Sequence, residues 1–209
     1  MRIAVLIYGR LNKCAEHYNN ILNSIGNHDI DFFLSSDNSS ENLLNEFIHL
    51  YKPICYTNEI INHNYNINNY PNRRPEMIYE VCEKMIRHFI NKSRVFLLLE
   101  NYINTGIHYD CVVSLRIDCV FQNNFVFDNL EDNTIYIPNC YDYVHNGIND
   151  QIAYGKINTM KKYNSIINNM IYLLDNNLSI FHPESLNYSN IQYNKLTIER
   201  VNILYYLEK

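Results

Sequence analysis

Cys111-Val112-Val113-Ser114-Leu115-Arg116-Ile117-Asp118-Cys119-Val120-Phe121 is an apolar, β-branched run that closes on two charged residues. Because its apolar positions are consecutive rather than alternate, it reads as a strand covered on both faces, the habit of a parallel sheet. Arg116 and Asp118 arrive where the run leaves the sheet. In open α/β sheets ligands gather beyond the carboxyl ends of the strands. An acid there is placed for chemistry and suits one hard cation with a diphosphate. The same acid beside a basic neighbour also serves to cap a turn, and spacing alone leaves both readings open.

Upstream of this run, strands and helices alternate. Residues 3–8 (IAVLIY) read as a buried strand ended by Gly9-Arg10, and Ala15, Tyr18, Ile21, Leu22 and Ile25 recur at helical spacing before Gly26. Residues 31–34 (DFFL) give a second strand, followed by the capping-rich loop Ser35-Ser36-Asp37-Asn38-Ser39-Ser40 and a helix carrying Leu43, Leu44, Phe47, Ile48 and Tyr51. Residues 53–56 (PICY) make a third strand. This alternation predicts a parallel sheet joined by right-handed crossovers. Residues 57–72 lack a period and suggest a long loop near a site. Pro75 suits a first helical position, and a helix over 76–102 is apolar on more than one face, with a break expected near 91–93.

Downstream, residues 134–138 (TIYIP) read as a strand and 141–149 as irregular. Asp150-Gln151-Ile152-Ala153-Tyr154-Gly155 then leads into a helix over 158–175. His182-Pro183-Glu184 precedes another helix, and residues 201–207 suit a strand or a helix. No repeat or linker divides the chain, so one α/β domain over residues 1–209 is expected.

The bulk composition narrows the function classes. A net charge of -5 argues against a nucleic-acid partner, which needs a basic face. The six cysteines never form a C-x-x-C pair, which favours reduced, buried thiols over a disulfide framework or zinc site. No charged leader followed by a long apolar segment opens the chain, and no apolar run approaches the roughly 20 residues that span a bilayer. A soluble, cytoplasmic protein is the expectation. Frequent Ile, Asn and Tyr with few Gly and no Trp read as AT-rich coding rather than low complexity.

Several polar residues fall at strand ends. Gly9 lets the backbone approach a ligand, and Arg10 can then face a phosphate, or the pair is a purely structural turn. Ser36 and Asp37 can hold a ribose or base edge, or cap the next helix. Arg73-Arg74 stand before a helix start and can supply cations for a diphosphate, or sit solvated on the surface. Asp150 and Gln151 can orient an acceptor hydroxyl or steady positive charge on a sugar ring, or cap a helix. His182 can be a neutral metal ligand or a structural residue. The chain has no dinucleotide or P-loop glycine pattern and no serine elbow.

The segments IAVLIYGRLNK (3–13), DFFLSSDNS (31–39), VVSLRIDCVF (112–121) and INDQIAYG (148–155) together resemble the small nucleotide-sugar-dependent glycosyltransferases of the GT-A fold, most closely those encoded by large DNA viruses of algae. The resemblance spans essentially the whole chain. It implies a GT-A-like, mostly parallel central sheet flanked by helices, a UDP-sugar donor, a carbohydrate acceptor such as a glycan of a glycoprotein, and Mn²⁺ or Mg²⁺ as cofactor. In that family the central strand ends in Asp-x-Asp, whose last acid binds the metal. Asp118 matches that position, and Arg116 stands in place of the first acid, where it can itself neutralise diphosphate charge. His182 matches a C-terminal histidine that completes the metal shell. Asp150-Gln151 is similar to a pair near the reacting carbon in some retaining members. The resemblance further implies that Tyr8, Gly9, Ser36 and Asp37 hold the nucleoside, while Arg10, Arg74 and Arg116 face the phosphates. The rival expectations are a sugar-phosphate nucleotidyltransferase and a noncatalytic nucleotide- or sugar-binding module.

Overall fold

The computed structural model describes residues 1–66, 70, 77–143 and 147–208. The chain runs β1 (Arg2–Tyr8), α1 (Cys14–Ile25), β2 (Asp29–Ser35), α2 (Glu41–Tyr51), β3 (Cys55–Thr57), α3 (Tyr79–Ile103), β4 (Cys111–Arg116) and β5 (Cys119–Phe121). It continues with β6 (Thr134–Pro138), β7 (Ile152–Gly155), α4 (Ile157–Asn164), α5 (Ile166–Asp175), α6 (Pro183–Tyr193), β8 (Thr197–Val201) and β9 (Tyr205–Leu207). Seven strands form one sheet in the order β3-β2-β1-β4-β7-β6-β8, and β5 pairs with β9 in a second, two-stranded sheet.

β1 is buried along almost its whole length, so each of its large apolar side chains contributes about 1.5–3 kcal/mol by leaving water. It lies between β2 and β4, parallel to both, and the alternation of side chains along it divides the core. Ile3, Val5 and Ile7 join α1, α2 and the small sheet on one face. Ala4, Leu6 and Tyr8 join α3, α4 and α6 on the other. A third cluster packs α5 against the first half of α3 and the start of α6. Local chemistry ends the helices where expected. Gly26 adopts φ 86° at the end of α1, its N–H on Leu22 O at 3.0 Å, and Ser40 caps α2.

The sheet is mostly parallel, as expected, and one strand is reversed. β7 runs antiparallel to both β4 and β6, while β6 and β8 are parallel. The segment read as a lead-in to a helix is therefore a strand, and the helix expected over 158–175 is two, α4 and α5, meeting at Ser165. Strands β8 and β9 replace the single terminal element expected near 201–207. The break expected near 91–93 is absent: α3 is continuous there, because Asn91 and Lys92 are buried and their polar atoms find partners inside the fold. Pro75 lies outside the described residues.

All six cysteines are free, with Cys14, Cys82, Cys111 and Cys119 buried. Among the described residues no helix is long and apolar enough to cross a membrane.

Candidate functional site

Parallel strands β1, β2 and β4 all end at the same rim of the sheet, and the reversed β7 begins there. The pairing of Leu115 with Ile152 sets Arg116 and Asp118 beside Asp150 and Gln151. The Arg116 N–H donates to Gln151 O at 3.1 Å, closing the two strand ends together. Beyond it the Arg116 guanidinium grips the Asp118 carboxylate with both arms, Nε to Oδ1 at 3.0 Å and Nη2 to Oδ2 at 2.5 Å. The Glu208 N–H donates to Asp118 O, so the segment after β9 pins the same turn.

Asp150 and Gln151 form a buried floor. The Tyr8 hydroxyl reaches both of their carbonyls, at 3.2 and 3.0 Å. Asn149 organises the other side: its Oδ1 accepts from Gln151 N at 2.9 Å, and its Nδ2 donates to Cys140 O and to the Tyr205 hydroxyl. Tyr205 in turn donates to Gln151 Oε1 at 2.8 Å, and Asn187 Nδ2 donates to Asn149 O. From α3, the fully buried Lys92 ammonium lies 3.3 Å from Asp150 O and 3.8 Å from the centre of the Tyr163 ring. His88 Nε2 stands 3.5 Å from Asp150 Oδ2, with its ring edge-on to Tyr8.

Burial sets the electrostatics of this floor. It pushes the Asp150 carboxyl upward, a shift opposed by the Lys92 and Arg116 cations. It pushes Lys92 down to about 7, opposed by Asp150. Burial, with those same two cations, holds His88 well below its usual value, so its imidazole is neutral. Glu184, at the start of α6 and 3.1 Å from His182 Nδ1, is pushed up to about 7 by burial and by the Asp150 charge. The floor can thus hold a carboxylate and a neutral imidazole against a desolvated reactant.

The residues singled out in the sequence divide into three groups. Tyr8, Asp150, Gln151, Arg116 and Asp118 converge at the rim. Arg10 and Asp37 line a neighbouring cleft of about 320 Å³ with Asn12, Asn38, Ser39 and Arg87. Gly9, just before Arg10, adopts φ 109° with its N–H on Ser35 O. Asp37 is engaged at both oxygens, by Ile61 N at 3.0 Å and by Arg87 at 2.9 Å. Ser36 is buried against Ser39, 2.5 Å between hydroxyl oxygens, and orders the loop from within. His182 lies against Tyr143, 4.0 Å between ring centres with the rings tilted by 31°. Arg74 lies outside the described residues.

The sequence reading passed over Lys92, His88, Arg87, Asn149, Glu184 and Tyr205. One signal could have found Lys92: it occupies an inward position in the helical row Met85, Phe89, Lys92, Phe96, Leu99, where a charge has no cheap reason to be. Glu184 is hidden because an acid in a first helical turn is ordinary.

Among the described residues no group of three His, Cys, Asp or Glu side chains stands together to hold a metal ion. Asp118, the candidate ligand, has both oxygens taken by Arg116. In this arrangement the donor set does not fit a resident cation. No protein-family model matches the chain, and no curated protein matches it.

Proposed function

We propose that the chain is a GT-A-type glycosyltransferase moving a sugar from a UDP-sugar to a carbohydrate acceptor, a glycan of a glycoprotein, in the cytoplasm of a virus-infected cell. One observation carries the reading. The single reversed strand β7 sets Asp150 and Gln151 at the rim where β4 ends in Arg116 and Asp118, so a carboxylate–amide pair adjoins a cation–carboxylate pair. The mostly parallel sheet flanked by helices accords with it.

Breaking the bond to the anomeric carbon leaves UDP as an anion, and neutralising that charge in a partly desolvated site is the largest catalytic contribution. Arg116 does this work at the rim and Arg10 in the adjoining cleft, while Tyr8, Gly9, Ser36 and Asp37 shape the nucleoside side. Asp150 and Gln151 face the sugar and acceptor. Were Mn²⁺ or Mg²⁺ to accompany the diphosphate, it would supply further charge neutralisation there, and Asp118 would be the residue to hold it.

The test is calorimetric titration with UDP, with and without Mn²⁺, on the wild type and on Asp118→Ala and Arg116→Gln, followed by product analysis with a UDP-sugar panel. Binding that Arg116→Gln weakens at least tenfold, with release of UDP, supports the reading. Release of pyrophosphate from a nucleoside triphosphate and a sugar phosphate supports a nucleotidyltransferase instead. Ligand binding without turnover of any donor supports a binding module.

A further inference from the structure

Lys92 is a lysine with no solvent exposure, set between the buried Phe89 and Phe96 in the inward row of α3. Desolvating an ammonium costs several kcal/mol unless it finds partners. Its partners are specific: the Asp150 carbonyl at 3.3 Å, the Tyr163 ring at 3.8 Å and, farther off, the Tyr8 ring at 6.0 Å. A methionine would fill the same space without that cost, so the charge itself has a use. Asp150 is the one acidic residue among the described residues that is buried as a whole.

We propose that Lys92 is the positioning residue of the site, holding the main chain of Asp150 from inside the core and keeping the Asp150 carboxylate ionised and aimed at the rim. The proposal rests on the reading of Asp150 as the group that faces the transferred sugar. The other groups that bear on this carboxyl are known. Tyr8 approaches from β1, His88 from α3 itself, and Arg116 from β4. Cys119 of β5, Tyr163 of α4, Glu184 of α6 and Tyr205 of β9 are within its electrostatic reach. His88 stays neutral and the phenols and thiol keep their protons near neutral pH, which leaves Lys92 and Arg116 as the cations opposing protonation of Asp150.

The experiment is a carbon-13 NMR titration of the Asp150 carboxyl, assigned by its loss in Asp150→Asn, in the wild type, Lys92→Met and Lys92→Gln. Lys92→Gln removes the charge and keeps a donor for the Asp150 carbonyl, so it answers the question where Lys92→Met does not fold. The expected result is a carboxyl that binds its proton at least tenfold more tightly in either folded variant. Where sugar transfer is found, the acid limb of the kcat/KM profile moves up in pH by the same factor. A carboxyl titration unchanged within twofold in folded Lys92→Gln overturns the proposal. A wild type that binds no UDP sinks the donor reading instead, since the NMR result requires neither donor nor turnover.

Discussion

Replacing Asn149 with alanine removes three hydrogen bonds from the centre of the floor: to Gln151 N–H, to Cys140 O and to the Tyr205 hydroxyl. Asn149 is fully buried. The Gln151 N–H is left with no acceptor in a buried setting, which costs about 1–3 kcal/mol. The other two groups lose a typical net bond, roughly 0.5–1.5 kcal/mol each, and Tyr205 still donates to Gln151 Oε1. The central values sum to about 4 kcal/mol, which for a chain of this size lowers Tm by roughly 12 °C. Urea unfolding followed by far-UV circular dichroism measures it directly, with an unchanged m-value expected if only the folded floor is affected. Asn149→Asp keeps the volume but turns an oxygen toward the Cys140 carbonyl, and should cost at least as much. A loss below about 1 kcal/mol in Asn149→Ala would refute the view that this side chain ties β7 to the segment before it.

Three further outcomes are expected. Gly147→Ala would set its Cβ 2.5 Å from Tyr143 Cβ and 2.9 Å from Glu184 Cβ, so a loss of about 1–3 kcal/mol in thermal or urea unfolding is expected and a neutral result contradicts this packing. The Glu184 carboxyl is raised in the folded state from its ordinary 4.5 to about 7, so its stabilising contribution is complete below 4.5 and is lost as pH rises through about 7. Urea midpoints of the wild type should fall across that window, and those of Glu184→Gln should fall less. Lys92 is depressed from 10.5 to about 7, so its contribution is present above 10.5 and lost as pH falls through about 7, and the corresponding rise in midpoint should vanish in Lys92→Met.

What the sequence discloses depends on how far each residue's surroundings are local. β1, β2 and β4 are legible because strands buried on both faces must be apolar at successive positions, and IAVLIY, DFFL and CVVSL show it. β7 hides because four residues, Ile152–Gly155, carry too little pattern to separate a strand from a helix lead-in, and their direction is set by partners some 40 and 20 positions away. β5 and β9, three residues each, are hidden for the same reason. The rim acids and Arg116 are visible as strand-end residues. Their supports are not: Asn91 and Lys92 read as a polar interruption of a helix, and only the packing of α3 over β1 and β2 gives them the Ser35 hydroxyl and the Asp150 carbonyl. Arg87 and Asp37 are likewise joined only by the fold, across 50 positions of sequence.

The place of β7 between β4 and β6 also fixes an order in time. β6 precedes β7 in the chain yet pairs only with β7 and β8, both made later. As the chain leaves the ribosome, β1, β2 and β4 can assemble at once, whereas β6 must wait beside a half-built sheet until the chain has passed residue 155. That delay exposes the apolar strand TIYIP to other chains before its neighbours exist. Pulsed hydrogen exchange during refolding would show β6 amides protected no sooner than those of β7, and earlier protection of β6 would rule out this sequence of events.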